Sequence, residues 1–363
     1  MRYAKCNLIF FLGLCTIFNL GKAQPLDLVE LWRMGGTEDD DVLFGTITSV
    51  GIDSKDQVYV VDWAHPGIYV FSNTGVLVTE IGREGRGPGE FQGLGRAVIS
   101  DSDTVFAWDR RMKRMTIFSP KDYDVVETVL ADWEVLGSPF ALIGVAPEGF
   151  VLDFTHMFMQ NDPRTDLTRD IYLLDRDGVQ RTPVLAQLPV RKMILFRFSG
   201  ASGFWFMPFG GIARHTMSGT GLVYSGHGDS TFITVRSTDG RVKRKIDLTH
   251  VPVPVTSEDL EEHFKQVDAS RRYRRTLREA GIPKIKPMFQ HFVVDDQERL
   301  WIQLSAAYGA KAAMWTILDE DGTPVNSTEL PTNVRLEAVR KERAYGVLKK
   351  NNGVEVLVAY AIQ

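Results

Sequence analysis

The chain has 363 residues, 44% of them hydrophobic and 24% charged, with a formal net charge of −4. Its two cysteines, Cys6 and Cys15, both fall within the first 23 residues. This balance argues against a general nucleic-acid role, and beyond residue 23 it excludes disulfides, a cysteine nucleophile, cysteine-ligated zinc and iron–sulfur clusters.

The first element is a leader. Arg2 and Lys5 precede a mostly apolar run at 8–20, and Gly21-Lys22-Ala23 then supplies small residues ahead of a cut before Gln24. That is the pattern of a secretory signal peptide over 1–23. The apolar run is shorter than the roughly 20 residues that span a bilayer. Leu14, just before Cys15, does not suit a lipoprotein signal. Without the leader 340 residues remain, and the loss of Arg2, Lys5 and Lys22 takes the charge to −7. The expectation is export to the periplasm or the medium of a monomer with no transmembrane segment, stabilised by its core alone.

A repeat follows. Residues 57–75 read QVYVVDWAHPGIYVFSNTG and residues 104–120 read TVFAWDRRMKRMTIFSP. At an offset of 47, Tyr59 meets Phe106, Asp62 meets Asp109, Ile68 meets Met115 and Phe71 meets Phe118. Each unit is an apolar run, an Asp, a short polar gap and a second apolar run, which is two strands and a turn. Weaker copies occupy 149–178, 221–240, 299–322 and 344–359, making six units. Multi-strand periods of 40–50 residues are the mark of propeller blades. The prediction is all-β: one domain over 24–363, a six-bladed β-propeller closed by an N-terminal strand at 27–34 that joins the last blade. Closure removes the exposed sheet edges of an open stack.

Between the fourth and fifth units, residues 256–280 read as a helical insert. Thr256 and Ser257 are cap candidates with Asp259 following, and Leu260, Phe264, Val267, Leu277 and Ala280 recur at helical spacing. Gly281 and Pro283 end it. Glu258, Asp259, Glu261 and Glu262 crowd its start, while Arg271, Arg272, Arg274, Arg275 and Arg278 crowd its end. That polarity suits the dipole of one continuous solvated helix.

The stretch GREGRGPGEF, 82–91, invites a phosphate-loop reading. It has neither the Gly-Lys-Ser/Thr of a Walker loop nor the spacing of a dinucleotide loop, and Pro88 interrupts it. The stretch, with the apolar run after it, Trp108-Asp109 and Arg114-Met115-Thr116-Ile117-Phe118, resembles the NHL-type repeat. The nearest likeness is to exported bacterial six-bladed β-propeller proteins, a largely uncharacterised family. Those are also similar in a late helical insert followed by Pro and Phe, here Pro287 and Phe289, and a strand ending in Leu300-Trp301. Gly93-Leu94-Gly95 departs from the repeat's usual Pro after the Phe, which affects one loop and not the fold. The resemblance implies that the glycines serve a tight crossing between blades, with Phe91 filling the gap.

No linear catalytic signature stands out. Gly200-Ala-Ser202-Gly203 lacks the frame of a nucleophile elbow. The Asp-Gly sequences at 177–178, 239–240 and 321–322 suit hairpin turns better than calcium loops. Asn326-Ser327-Thr328 fits a glycosylation acceptor, which carries no weight in a chain of bacterial type. The leading expectation is a non-enzymatic exported binding or scaffold module, presenting a loop-rimmed face to a protein, glycan or small ligand, with no cofactor and no nucleic acid. The alternative is a metal-assisted lyase or hydrolase on the propeller axis, as in some NHL-type propellers, with calcium or zinc held by His65, His156, His215 and His227. The polar gap of each unit is where a ligand is sought: His156 and its loop over a pocket, with His65 and Arg111 nearby. If those loops lie at the outer rim instead, the face covered by the helical insert is the next place.

Overall fold

Apolar runs buried on both faces need cover on both sides, and a ring of upright sheets supplies it. The second strand of a unit, Val58–Asp62, is buried at every position, and so are its counterparts Val105–Asp109 and Val223–His227. Outer strands such as Val125–Leu130 are almost wholly exposed. The computed structural model describes residues 24–37, 40–131, 137–155, 167–198 and 201–363. The signal peptide expected over 1–23 lies outside these residues.

Six antiparallel four-stranded sheets form the ring. From the axis outward, blade 1 is Ile47–Ile52, Val58–Asp62, Gly67–Phe71 and Leu77–Ile81. Blade 2 is Leu94–Ile99, Val105–Asp109, Arg114–Phe118 and Val125–Leu130. Blade 3 is Ser138–Ala146, Gly149–Thr155, Thr168–Leu174 and Ala186–Pro189. Blade 4 is Ala213–Met217, Val223–His227, Phe232–Arg236 and Val242–Asp247. Blade 5 is Phe289–Val294, Leu300–Leu304, Ala312–Leu318 and Pro324–Pro331, with Gln24–Pro25 added in parallel at its outer edge. Blade 6 takes Val334–Arg340, Arg343–Lys349 and Glu355–Ile362 from the C-terminal end and Leu28–Met34 from the N-terminal end. The N-terminal strand thus closes the ring, as its sequence predicts. Six apolar clusters fill the six gaps between neighbouring blades.

Because the strands of a blade alternate in direction, the loops sort onto two faces. Hairpins between first and second strands lie on one face. The crossovers between blades lie on the other, together with the loops between second and third strands. Aspartates at the ends of second strands hold this crossover face. Asp62 accepts from the backbone N–H of Gly45 at 2.9 Å, Thr46 at 2.8 Å and Ala64 at 3.0 Å. Asp109 accepts from Gln92 at 2.7 Å and Met112 at 2.8 Å. The repeated Asp of the sequence is therefore a latch between consecutive blades.

The stretch 82–91 is the crossover from blade 1 to blade 2, and it does cradle an anion, which is its own. The Glu90 carboxylate accepts from the backbone N–H of Arg86 at 3.0 Å and Gly87 at 2.9 Å, and from the Arg83 guanidinium at 2.8 Å. Phe91 is fully buried beneath. Gly82 has φ +78°, and a Cβ there would sit 2.3 Å from the Phe91 ring, so the position is closed to other residues.

The insert differs from its expected form. It is two helices, α1 (Ser257–Gln266) and α2 (Arg271–Ala280), not one. Asp268 turns the chain with φ 44°, and Ser270 caps α2 by accepting from the Tyr273 N–H at 3.2 Å. A local Ser cap has overridden a periodic pattern that ran through it. Arg271 and Arg272 then fall in the first turn of α2, the end where the dipole disfavours cations, so the charge layout does not serve a single dipole. Arg274 instead ties the pair together, with its guanidinium 4.5 Å over the Phe264 ring and 3.2 Å from Glu261. A hairpin absent from the sequence reading, Met193–Phe198 with Ala201–Phe206, packs against the insert through Trp205, whose ring centroid is 4.9 Å from that of Tyr273.

Candidate functional site

The inner strands set the site, through their register. In each blade one inner-strand residue faces the residue just before the position of the repeated Asp, which is Asp62, Asp109 and Asp153 in blades 1 to 3 and is taken by His227, Leu304 and Leu348 in blades 4 to 6. These residues are Ser49, opposite Val61; Arg96, opposite Trp108; and Leu142, opposite Leu152. In blades 4 to 6 they are Arg214, opposite Gly226; His291, opposite Gln303; and Arg335, opposite Val347. One level of the channel therefore carries arginine at every second blade, with His291 between two of them.

The partners show how much of this charge is neutralised. Arg335 pairs with Glu337 of its own strand and reaches the Ile47 carbonyl at 3.4 Å. The Arg214 Nε–H donates to the Gln290 carbonyl at 3.0 Å, and no acid is bonded to it among the described residues. Arg96 has neither a hydrogen bond nor an ion pair among the described residues, and feels Glu337 and Asp153 only through space. Burial lowers the pKa of Arg96. Burial, helped by Arg335 and Arg169, lowers that of Arg214 to about 10. For Arg335 burial acts in the same sense, but Glu337 more than offsets it and the net shift is upward. Arg169 of blade 3 adds a further cation. It sits 3.1 Å from Asp153 and 4.2 Å over the Phe140 ring, whose centroid also lies 4.1 Å from the Arg110 guanidinium. Burial pushes Asp153 up to about 7 against the pull of Arg169.

The two inner-strand histidines are neutral in this field. Burial, then Arg169, Arg236 and Arg214, lowers His215 to about 3. His291 falls well below 6.5 for the same reason, burial first and then Arg214 and Arg335, with the Leu336 backbone acting weakly the other way. Neither ring nitrogen of either histidine makes a hydrogen bond of good geometry among the described residues. A buried polar atom left in that state is costly unless something supplies a partner.

At the crossover face the channel opens into a cavity of about 510 Å³ whose lining includes Arg214, His291, Arg335, Lys286, Gln303 and Asn333. The insert braces one wall from behind. Asp259, the N3 residue of the α1 capping box, holds the Lys286 ammonium at 2.6 Å, and Lys286 also donates to the Ala306 carbonyl at 3.0 Å. Glu355, another lining residue, is committed to the Ile47 N–H at 2.7 Å.

The residues singled out from sequence fall in several places. His215 lies on the inner strand of blade 4, beside Arg214. His227 ends the second strand of that blade, where blades 1 and 2 carry Asp62 and Asp109, and its Nδ1 accepts from the Asp229 N–H at 3.3 Å. His65 sits across the ring on blade 1, mostly exposed, with Nδ1 2.9 Å from Asp62. Arg111 is exposed at the rim, reaching the Gln92 carbonyl at 3.5 Å. His156 lies outside the described residues. Among the described residues no three His, Cys, Asp or Glu side chains are grouped to hold a metal ion. Sequence reasoning missed Arg96, Arg214, His291 and Arg335, because it looked to the loops. The one signal for them was the offset of 47, which places Arg96 on Ser49.

Comparison with known proteins accords with this architecture. A family model described as 6-bladed beta-propeller matches residues 37–149. No curated protein matches the chain. Among solved structures the chain is similar to a Bacteroides fragilis NCTC 9343 protein, provisionally named as exported, at 10% identity and a TM-score of 0.54, covering 93% of this chain and 95% of that one. It is also similar to a member of the duf4221 family from Bacteroides vulgatus, at 10% identity and a TM-score of 0.50, covering 94% and 99%. At these identities the likeness is one of fold. No helix among the described residues is long and apolar enough to cross a membrane.

Proposed function

We propose that the protein is an exported binding propeller that takes a small anionic ligand in its channel, at the level of the inner-strand arginines and reached from the crossover mouth. The supporting observation is the row of Arg96, Arg214 and Arg335 at one channel level, of which, among the described residues, only Arg335 is directly paired to an acid. Like charges gathered in a low-dielectric channel are costly and are kept where an anion completes them. A cation at the same level would meet three guanidiniums, so the observations favour binding of an anion over a metal centre there. The test is calorimetric titration of residues 24–363 with small mono- and polyanions beside neutral analogues. Saturable binding that weakens with salt and is lost in Arg214→Ala and Arg335→Ala supports the reading. Binding to none of the anions, or equal binding of their neutral analogues, overturns it.

A further inference from the structure

The symmetry of the donors narrows the ligand's chemistry. Arg96, Arg214 and Arg335 stand on blades 2, 4 and 6, at register-equivalent positions. Alternate blades of a six-bladed ring are related by an approximate threefold axis, and that axis is the channel. A single guanidinium satisfies a planar carboxylate through two parallel hydrogen bonds. A carboxylate here would be filled by one arginine, and the others would be left buried and unmatched. An XO3 group has three equivalent oxygens about its own threefold axis, one for each arginine.

The remaining positions of the level fit the same occupant. His291, on blade 5, lines the same cavity as Arg214 and Arg335 and feels those two arginines most and Arg96 least. Neutral and without a well-formed hydrogen bond, it offers one N–H donor without adding charge. Ser49 is already spent on the Ala97 carbonyl at 3.0 Å, and Leu142 is fully buried and apolar. Glu337 is bonded to Arg335 alone, which leaves a surplus of positive charge suited to an anion of one or two charges.

Resting on the reading of the channel as an anion site, we infer that the head group it takes is a tetrahedral oxyanion, a sulfate or phosphate monoester, and not a carboxylate. The test compares phenyl phosphate, phenyl sulfate and benzoate, which share a ring and differ in head group, by calorimetry on residues 24–363 at fixed salt in a buffer without oxyanions. The two esters should bind at least about tenfold tighter than benzoate, the worth of one further charge-assisted contact. Arg96→Gln should remove that margin while changing benzoate affinity by less than about threefold. Melting temperature and circular dichroism establish that the variant is folded, and Arg96→Lys, which keeps the charge but loses the fork, should recover part of the margin. Benzoate binding as tightly as the esters, or Arg96→Gln weakening all three equally, overturns the tetrahedral inference and leaves the anion site standing. Binding of none of the three, nor of any other anion, removes both. Where the esters do bind, inorganic phosphate and inorganic sulfate distinguish a free ion from an ester. A rise in affinity from pH 5 to 8 for phosphate alone, as its second proton leaves, distinguishes phosphate from sulfate.

Discussion

Arg214→Met should make the unliganded protein more stable. Burial and its neighbours lower the Arg214 pKa from 12.5 to about 10. At about 1.4 kcal/mol per unit, the charged form therefore destabilises the fold by about 3 kcal/mol relative to a neutral side chain of similar shape. Methionine keeps most of the apolar stem that packs along the strand. Against the gain stands the 3.0 Å hydrogen bond to the Gln290 carbonyl, worth about 1 kcal/mol, with channel water able to take its place. The net expectation is a stabilisation of about 1–2 kcal/mol, which in a domain of this size raises Tm by about 1–3 °C. The assay is differential scanning calorimetry of both proteins without phosphate or sulfate. Adding a bound anion should then reverse the order, because only the wild type gains from ligand linkage. A Tm that drops by 2 °C or more on substitution would refute the reasoning, and would make the arginines braces of the ring and not a site awaiting an anion.

Three other outcomes are expected. His215, held at about 3, and His291, held well below 6.5, are neutral when folded and protonate when unfolded. They contribute stability that is present above pH 6.5 and lost as pH falls; Asp153, raised from 3.8 to about 7, keeps its proton when folded and acts oppositely, with stability lost as pH rises between those values. Urea unfolding across pH should show the acid-side slope flattened in His215→Gln/His291→Gln and the neutral-side slope flattened in Asp153→Asn; unchanged slopes in both would sink the assignment. Asp259→Ala strands the buried Lys286 ammonium and removes the reciprocal half of the α1 capping box, at a cost of about 3 kcal/mol in denaturant unfolding, and Lys286→Met in the same chain should restore most of it. Terminal sequencing of the protein released by its native host should begin at Gln24, and a chain retaining Met1 would contradict the leader.

The fold was legible because second and third strands of a blade are buried on both faces, which writes Tyr59–Phe71 and Phe106–Phe118 into the sequence as matched apolar runs. The inner strands face a polar channel along one edge, so LGRAVI, ARHTM and VRLEAVR carry no such pattern. Their arginines become meaningful only once cross-strand register places them at one level. The insert misled for a related reason. Periodicity carried a single helix through Val267, while Ser270 needed only one local hydrogen bond to start a second. His227 was visible as a histidine but not as the replacement for a latch aspartate, since the blade 4 unit shares too few residues with those of blades 1 and 2.

The closing strand also sets an order of events. Leu28–Met34 is made before blades 1 to 5, yet its partner Glu355–Ile362 is made only after them. Through nearly the whole of synthesis this segment, with Val29, Leu31 and Trp32, is an unmatched β edge, free to pair with the wrong chain. Meanwhile blades 1 to 5 can assemble by neighbour contacts alone, as an open arc. Completion is thus a single late snap across more than three hundred residues, slow because of the loop it must close but hard to undo once made. Residues 27 and 363 finish side by side, with the Asp27 N–H donating to the Gln363 carbonyl at 3.2 Å and the Gln363 N–H to the Asp27 carbonyl at 2.9 Å. A chain re-cut between blades, with residues 27 and 363 linked, would trade that bottleneck for a different one.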